Sequence, residues 1–390
     1  MSSFLSSLKE FKLPWRRAKP ATDEAQNEEA FFRAGQWQLV WWKFKRHKLA
    51  QIAVVALGIL YFIAIFAEFI APHPPLKRYK DFAAHPPSNV RFRDVDGSFH
   101  MPFIYSTVRE RDPVTFRPLY AEDTSQRYPI KLFVHGDPYE LWGLITLDVH
   151  LFGTENNEVA PLFVLGSDSI GRDVLSRIFF GGRISLSVGL IGVFLAFFLG
   201  LILGGISGYY GGIVDEAIQR VVEVLFALPQ IPLWMALAAA LPQDLPQVRI
   251  YFYTTIILSL LTWPGLARIV RGRLLSMREE DFVMAARLDG ESEWRIIRSY
   301  MLPSFMSVII VSLTLAIPGM IIGETALSFL GIGLKSPTVS WGVMLNEAQD
   351  IMVVSQLPWV LWPVAFVVVA VLMFNFLGDG LRDAADPYTT

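Results

Sequence analysis

The sequence predicts an all-α membrane protein with six spanning helices and one large, partly β insert between the first and the second. Three observations carry that prediction. Apolar stretches near the roughly 20 residues a bilayer requires fall at about 49–71, 185–208, 218–241, 251–271, 304–323 and 357–378. Lys and Arg cluster at two places beside them, as the positive-inside rule demands of cytoplasmic segments. Residues 72–184 hold no further stretch of that kind, yet are too long for a simple connector. The composition agrees: 53% of the 390 residues are hydrophobic and 18% are charged. That is more apolar than a soluble chain and less so than a bundle with short loops.

Residues 1–48 form the expected cytoplasmic tail. Charges run through every window of residues 1–40, so no signal peptide is expected, and a short amphipathic helix is expected near Phe31 to Trp42. Lys43, Lys45, Arg46 and Lys48 hold the start of the first span (49–71) in the cytoplasm. The insert and lead-in, 72–184, then lie outside. Within them Tyr128–Val134 alternates like a strand, and His135-Gly136-Asp137-Pro138 is expected to turn. Residues 185–390 make a core of the remaining spans. Its fourth span carries Tyr251 and Tyr253 at an interface, and Trp263-Pro264-Gly265 is expected to kink it. The loop 272–303 is cytoplasmic by its flanking arginines: Arg268, Arg271, Arg273, Arg278, Arg287, Arg295 and Arg298. An even number of spans returns the C-terminus to that side.

Several function classes drop out. A net charge of −2 opposes nucleic-acid binding, which needs a basic surface. No Cys is present, which excludes disulfides and thiolate metal sites. The six His all precede residue 151 and are scattered, so no metal site is expected. Gly331-Ile-Gly-Leu-Lys335-Ser336 lacks the Gly before Lys and the gap of a P-loop. There is no His-Glu-x-x-His or Gly-x-Ser-x-Gly. Neither catalytic residues, a cofactor nor an ATP site is expected in this chain.

Small residues at four-residue intervals, Gly192, Ala196, Gly200, Gly204 and Gly208, form a ribbon along the second span that permits close helix packing. Contact within this chain and contact with a second subunit are both open. Charges inside spans are functional candidates by default. Glu223 sits one turn from Arg220, so either an ion pair or a solute contact would explain it. Glu68 and Glu324 fall near outer ends; Glu324, like Glu223, is a candidate for the translocation path, the alternative being that solvent simply covers it.

Asp281 to Ser304 is a polar, Arg-rich loop between apolar spans. Ala285 and Ala286 leave a flat helix face, Gly290 permits a left-handed turn, and Pro303 opens the next helix. It resembles the cytoplasmic coupling loop of bacterial ABC importer permeases: Glu-Ala-Ala, three residues, Gly, then nine residues to Ile-x-Leu-Pro. Met284 replaces the family's Glu and Tyr300 its Ile, while Ala285, Ala286, Gly290, Leu302 and Pro303 match. Leu165-Gly-Ser-Asp-Ser-Ile-Gly-Arg-Asp173 resembles the lead-in of the oligopeptide and dipeptide branch, with Ser167 for the usual Thr. There Asp168, Arg172 and Asp173 suit a local ion-pair and capping network, the alternative being contact of Arg172 and Asp173 with a docked binding protein. Glu324-Thr-Ala-Leu-Ser-Phe-Leu-Gly-Ile-Gly333, Pro337-Thr-Val-Ser-Trp-Gly342 and Gly378-Asp-Gly-Leu-Arg-Asp-Ala-Ala-Asp-Pro387 resemble the same branch.

The resemblance covers roughly 40–70 and 165–387. It implies a type I ABC importer permease fold in a bacterial inner membrane, and a C-type peptide permease. Its implied partners are a sister permease, two ATPase subunits and an extracytoplasmic solute-binding protein, with membrane lipid around them. An importer of oligosaccharides or another non-peptide solute is the alternative within the class. A secondary transporter or channel, for which Glu223 is the only hint, is the alternative outside it.

Overall fold

The computed structural model describes residues 36–111, 113, 118–242 and 244–385. Residues 1–35 of the expected tail, and Asp386 and Pro387 of the C-terminal motif, lie outside the described residues. Helix α1 (Gln36–Phe44) precedes α2 (Lys48–Ile65), whose N-cap is His47, its ring Nδ1 accepting the Ala50 N–H at 3.1 Å. An 18-residue helix is about 27 Å long, close to the hydrocarbon thickness.

The insert is one antiparallel sheet in sequence order, β1 (Arg91–Arg93), β2 (Phe99–Arg111), β3 (Pro118–Leu141) and β4 (Ile145–Thr154). The expected strand at 128–134 is part of the 24-residue β3, which serves both hairpins. The expected turn at His135–Pro138 is instead a register shift within β3, between His135 and Tyr139. Gly136 and Pro138 suit a bulge better than ladder positions, and the strand there passes so close to His150 that a Cβ on Gly136 would stand 2.7 Å from its ring. The true reversal is at Trp142-Gly143, where both residues have positive φ, +54° and +70°.

Helix α3 (Val174–Tyr210) starts earlier than the span expected at 185. Asp173 caps it, accepting the Ser176 N–H at 2.8 Å, so the polar lead-in is already helical although it breaks the apolar pattern. The span expected at 218–241 is not one helix. It is α4 (Gly212–Ala227) and α5 (Gln230–Ala239), bent by 91°. Pro229 forces Leu228 into an extended conformation, φ −89° and ψ 136°, which ends α4 there. Helix α6 (Gln247–Met277), by contrast, continues through Pro264. After α7 (Asp281–Leu288) come α8 (Met306–Phe329), α9 (Trp341–Glu347) and α10 (Trp362–Ala385).

Helices α2, α3, α6, α8 and the last span are each long and apolar enough to cross a membrane, and α4 with α5 make a sixth candidate. Their shared core gathers Leu57, Leu186, Val222, Trp234, Leu258, Ile321 and Phe374 from α2, α3, α4, α5, α6, α8 and α10.

Candidate functional site

The hairpin between α6 and α8 is built around Gly290. At the end of α7 the Gly290 N–H donates to Arg287 O and the Glu291 N–H to Ala286 O, both at 3.1 Å. This is a Schellman ending, which needs a left-handed residue; Gly290 has φ +76°, and its Cβ position is open space. Glycine is therefore required by conformation and not by crowding. The chain re-enters helix at Glu293, widens into a π-helical stretch at Ile296–Met301, and passes Pro303 in the first turn of Leu302–Ser304.

The hairpin has two faces. Val283 and Ala286 are buried with Ile296, Met301 and Phe305 against Leu274, Val270 and Tyr209. Ala285, Phe282 and Met284 are exposed, as are Leu288 at 87% and Trp294 at 69%. Of the two adjacent alanines, one seats the hairpin on the bundle and its neighbour is left open.

The glycine ribbon of α3 packs inside this chain. A Cβ on Gly200 would stand 2.8 Å from Leu266 Cβ; on Gly204, 2.5 Å from Ala267 O; on Gly208, 2.8 Å from Arg271 O. Gly192 faces Met320 and Ser259, and Ala196 is buried. These contacts bring the backbones of α3 and α6 together, with α8 at the Gly192 end. At the Gly208 end of the seam, Asp215 of α4 pairs with Arg271 of α6 at 2.5 Å.

The lead-in to α3 closes on itself. Asp168 Oδ2 accepts from Arg172 Nε at 2.6 Å and Arg177 Nη1 at 2.8 Å. Both guanidinium groups continue to Glu347 Oε2 of α9, at 2.8 and 2.7 Å. Two carboxylates meet two arginines, which balances the charge of a buried group. Asp173 accepts from the Ser176 N–H and Oγ at 2.8 and 2.6 Å, and burial pushes its carboxyl up to about 7. Arg172 and Asp173 are both buried within the chain.

Glu324 is fully buried instead of covered by solvent. Ser185 Oγ donates to its Oε2 and Ser328 Oγ to its Oε1, each at 2.9 Å. Those serines in turn accept the Trp341 and Leu334 N–H groups, each at 3.2 Å. The carboxyl thus ties α3, α8 and the start of α9 together; burial follows because α9 folds back over the end of α8. Glu223 does pair with Arg220, at 3.0 Å, on the exposed face of α4. Glu68 binds Arg183 through both nitrogens at 2.6 Å, and Arg183 Nε donates to Ala64 O at 3.0 Å. The pairs Arg177–Glu347 and Arg183–Glu68 carry no local spacing signal, since each joins residues far apart in sequence. The charged side chains inside an otherwise helical lead-in were the only hint.

The chain's similarities agree with this architecture. The N-terminal TM domain of oligopeptide transport permease C matches residues 35–87. The dipeptide transport system permease protein DppC of Bacillus subtilis is 39% identical over 222 residues, 57% of this chain and 68% of its own length. The oligopeptide permease OppC of Haemophilus influenzae is 41% identical over 223 residues, covering 57% and 69%. The glutathione transport system permease protein GsiD of Pectobacterium atrosepticum is 40% identical over 224 residues, covering 57% and 72%. Residues 196–390, half of the chain, match the binding-protein-dependent transport system inner membrane components; the chain belongs to that family and is a permease subunit of an ABC importer, of the oligopeptide and dipeptide type.

Proposed function

We propose that this subunit carries peptides, paired with a sister permease, driven by two ATPase subunits and supplied by an extracytoplasmic solute-binding protein. The observation that carries the reading is the two-faced hairpin at 281–303. Its inner face is cemented to α6 and α8, while Phe282, Met284, Leu288 and Trp294 are apolar and exposed, as a surface that grips a soluble subunit requires. Tilting the hairpin would move the helices it is packed on, which is how ATP binding outside the membrane drives alternating access. Coupling of this kind requires different hairpin contacts in the two states.

In this reading α1, the hairpin and the C-terminus face the cytoplasm, and the sheet faces the binding protein. Glu223 lies on the open side of α4, towards the path between the two permeases. Arg172 and Asp173 support the outer surface from beneath. The names of the peptide and glutathione relatives favour a peptide solute, and the ligand retained by the cognate binding protein tests that.

The coupling role is tested by Gly290→Val. Forcing a β-branched residue into positive φ costs about 1–2 kcal/mol locally and misplaces the exposed face. Solute-stimulated ATP hydrolysis by the assembled importer is expected to vanish while the chain still inserts. Normal stimulation would refute the role. Failure of the unmodified chain to co-purify with an ATPase would remove the importer assembly itself.

A further inference from the structure

The tip of the β3–β4 hairpin, Leu141-Trp142-Gly143-Leu144-Ile145, sits in an unusual place for a loop of its composition. From 141 to 147 no residue is charged. Leu144 is 80% exposed, and Ile145, Trp142 and the nearby Phe133 are also open. The turn itself is built against local preference. With the Leu144 N–H donating to Leu141 O at 3.0 Å and positive φ at Trp142 and Gly143, it has the geometry that favours Asn-Gly or Gly-Gly. A Trp at the first of these positions is strained, so the indole must be held by something other than the turn.

What holds it is the end of a spanning helix. Trp142 Nε1 donates to Ile65 O, the last residue of α2, at 2.9 Å. The ring lies 5.4 Å from that of Phe66, which lies 4.8 Å from Phe62, and Phe133 lies 6.2 Å from Phe69. Helix α2 begins at Lys48, just after Lys45 and Arg46, and its length matches the hydrocarbon layer. Its last carbonyls therefore mark the opposite boundary of that layer. Ile59, Phe62 and Ile65 are exposed on α2, and the tip continues their surface. Trp and other aromatic rings collect at that depth in membrane proteins, where the ring is in the apolar layer and the N–H is satisfied.

We infer that the β3–β4 tip is seated in the phospholipid interface of the membrane leaflet on the insert's side, with Trp142 fixing its depth and Leu144 and Ile145 reaching the acyl chains. The insert is then held in lipid as well as by its two covalent junctions, with α2 and with α3.

The chain's lack of Cys makes the test direct. Leu144→Cys, and as reference Asp96→Cys in the β1–β2 turn, are labelled with an environment-sensitive fluorophore. The full chain, with its co-purifying subunits, is placed in phosphatidylcholine–phosphatidylglycerol vesicles. Nitroxides on the lipid near the headgroup are expected to quench position 144 about threefold more than position 96, with iodide showing the reverse order. Equal quenching at both positions by both agents places the tip in water and overturns the inference. A label at 144 shielded from nitroxide and iodide alike also overturns it, because a protein surface then covers the tip.

Discussion

The lead-in to α3 and the hairpin after α6 are both charged, glycine-containing stretches at the ends of spanning helices, and they treat their side chains in opposite ways. In the lead-in, Asp168, Arg172 and Arg177 pair with one another and with Glu347 of α9, and Arg177 is 2% exposed, although its Nε has no hydrogen-bond partner. In the hairpin, the apolar side chains Leu288 and Trp294 are the exposed ones. A stretch whose charges pair inside the chain builds the scaffold, whereas one that leaves apolar surface uncovered is, in the proposed reading, the surface for another molecule. Recognisable sequence patterns mark both stretches; only the three-dimensional contacts separate them.

The contrast breaks first at Arg177. Arg177→Ala leaves Asp168 and Glu347 short of a buried partner, which costs about 3–5 kcal/mol. Thermal unfolding in detergent should show a large drop in Tm, and an unchanged Tm would mean that Arg172 alone holds the cluster. Next is the seam between α3 and α6. Gly204→Leu drives a side chain into the Ala267 backbone and is expected to cost about 1–3 kcal/mol or more. Gly205→Leu, where no atom lies within 4 Å of the Cβ position, serves as its control. Equal recovery of the two as monodisperse protein would show that α3 and α6 do not pack this way.

A smaller effect is set by pH. The folded Asp173 carboxyl titrates near 7, above its ordinary 3.8, so its favourable contribution is complete below about pH 4 and is lost as pH rises through 7. Asp173→Asn keeps the cap and removes that loss. The variant should gain in Tm relative to the parent between about pH 5 and pH 8. A constant difference over that range would contradict the burial of a neutral acid. Least costly is Leu288→Ser: an exposed position should shift stability by no more than about 0.5 kcal/mol, yet the change should lower co-purification of the ATPase. Loss of stability there would mean that the hairpin face is already occupied within the chain.

Much of this was legible in the sequence. Apolar length located the spanning helices, and Gly290 announced its turn because a left-handed Schellman ending favours glycine strongly. The Arg220–Glu223 pair followed from helical spacing alone. What stayed hidden depended on contacts distant along the chain. The fate of Glu324 was set by α9, which folds back so that the Trp341 N–H reaches Ser185. The ribbon on α3 suits an inner or an outer neighbour equally by its spacing, and the packing of Leu266 and Ala267 against it decides for the inner one. The break at Leu228-Pro229 is masked by the apolar run that continues across it, because hydropathy is blind to the extended backbone that a proline imposes on the residue before it.

The glycine seam also fixes the sense of the chain. Gly192, Gly200, Gly204 and Gly208 meet Ser259, Leu266, Ala267 and Leu274 in that order, so residue numbers rise together and α3 and α6 run parallel. A chain leaving α3 must therefore travel back to the opposite membrane face before α6 can begin. Among the described residues only α4 and α5 are available for the return, so the pair bent at 91° has to be a full passage and not a loop that dips in and retreats. With that passage counted, the ends of the bundle share one face, as the packing of Ala50 and His47 against Gly380 requires.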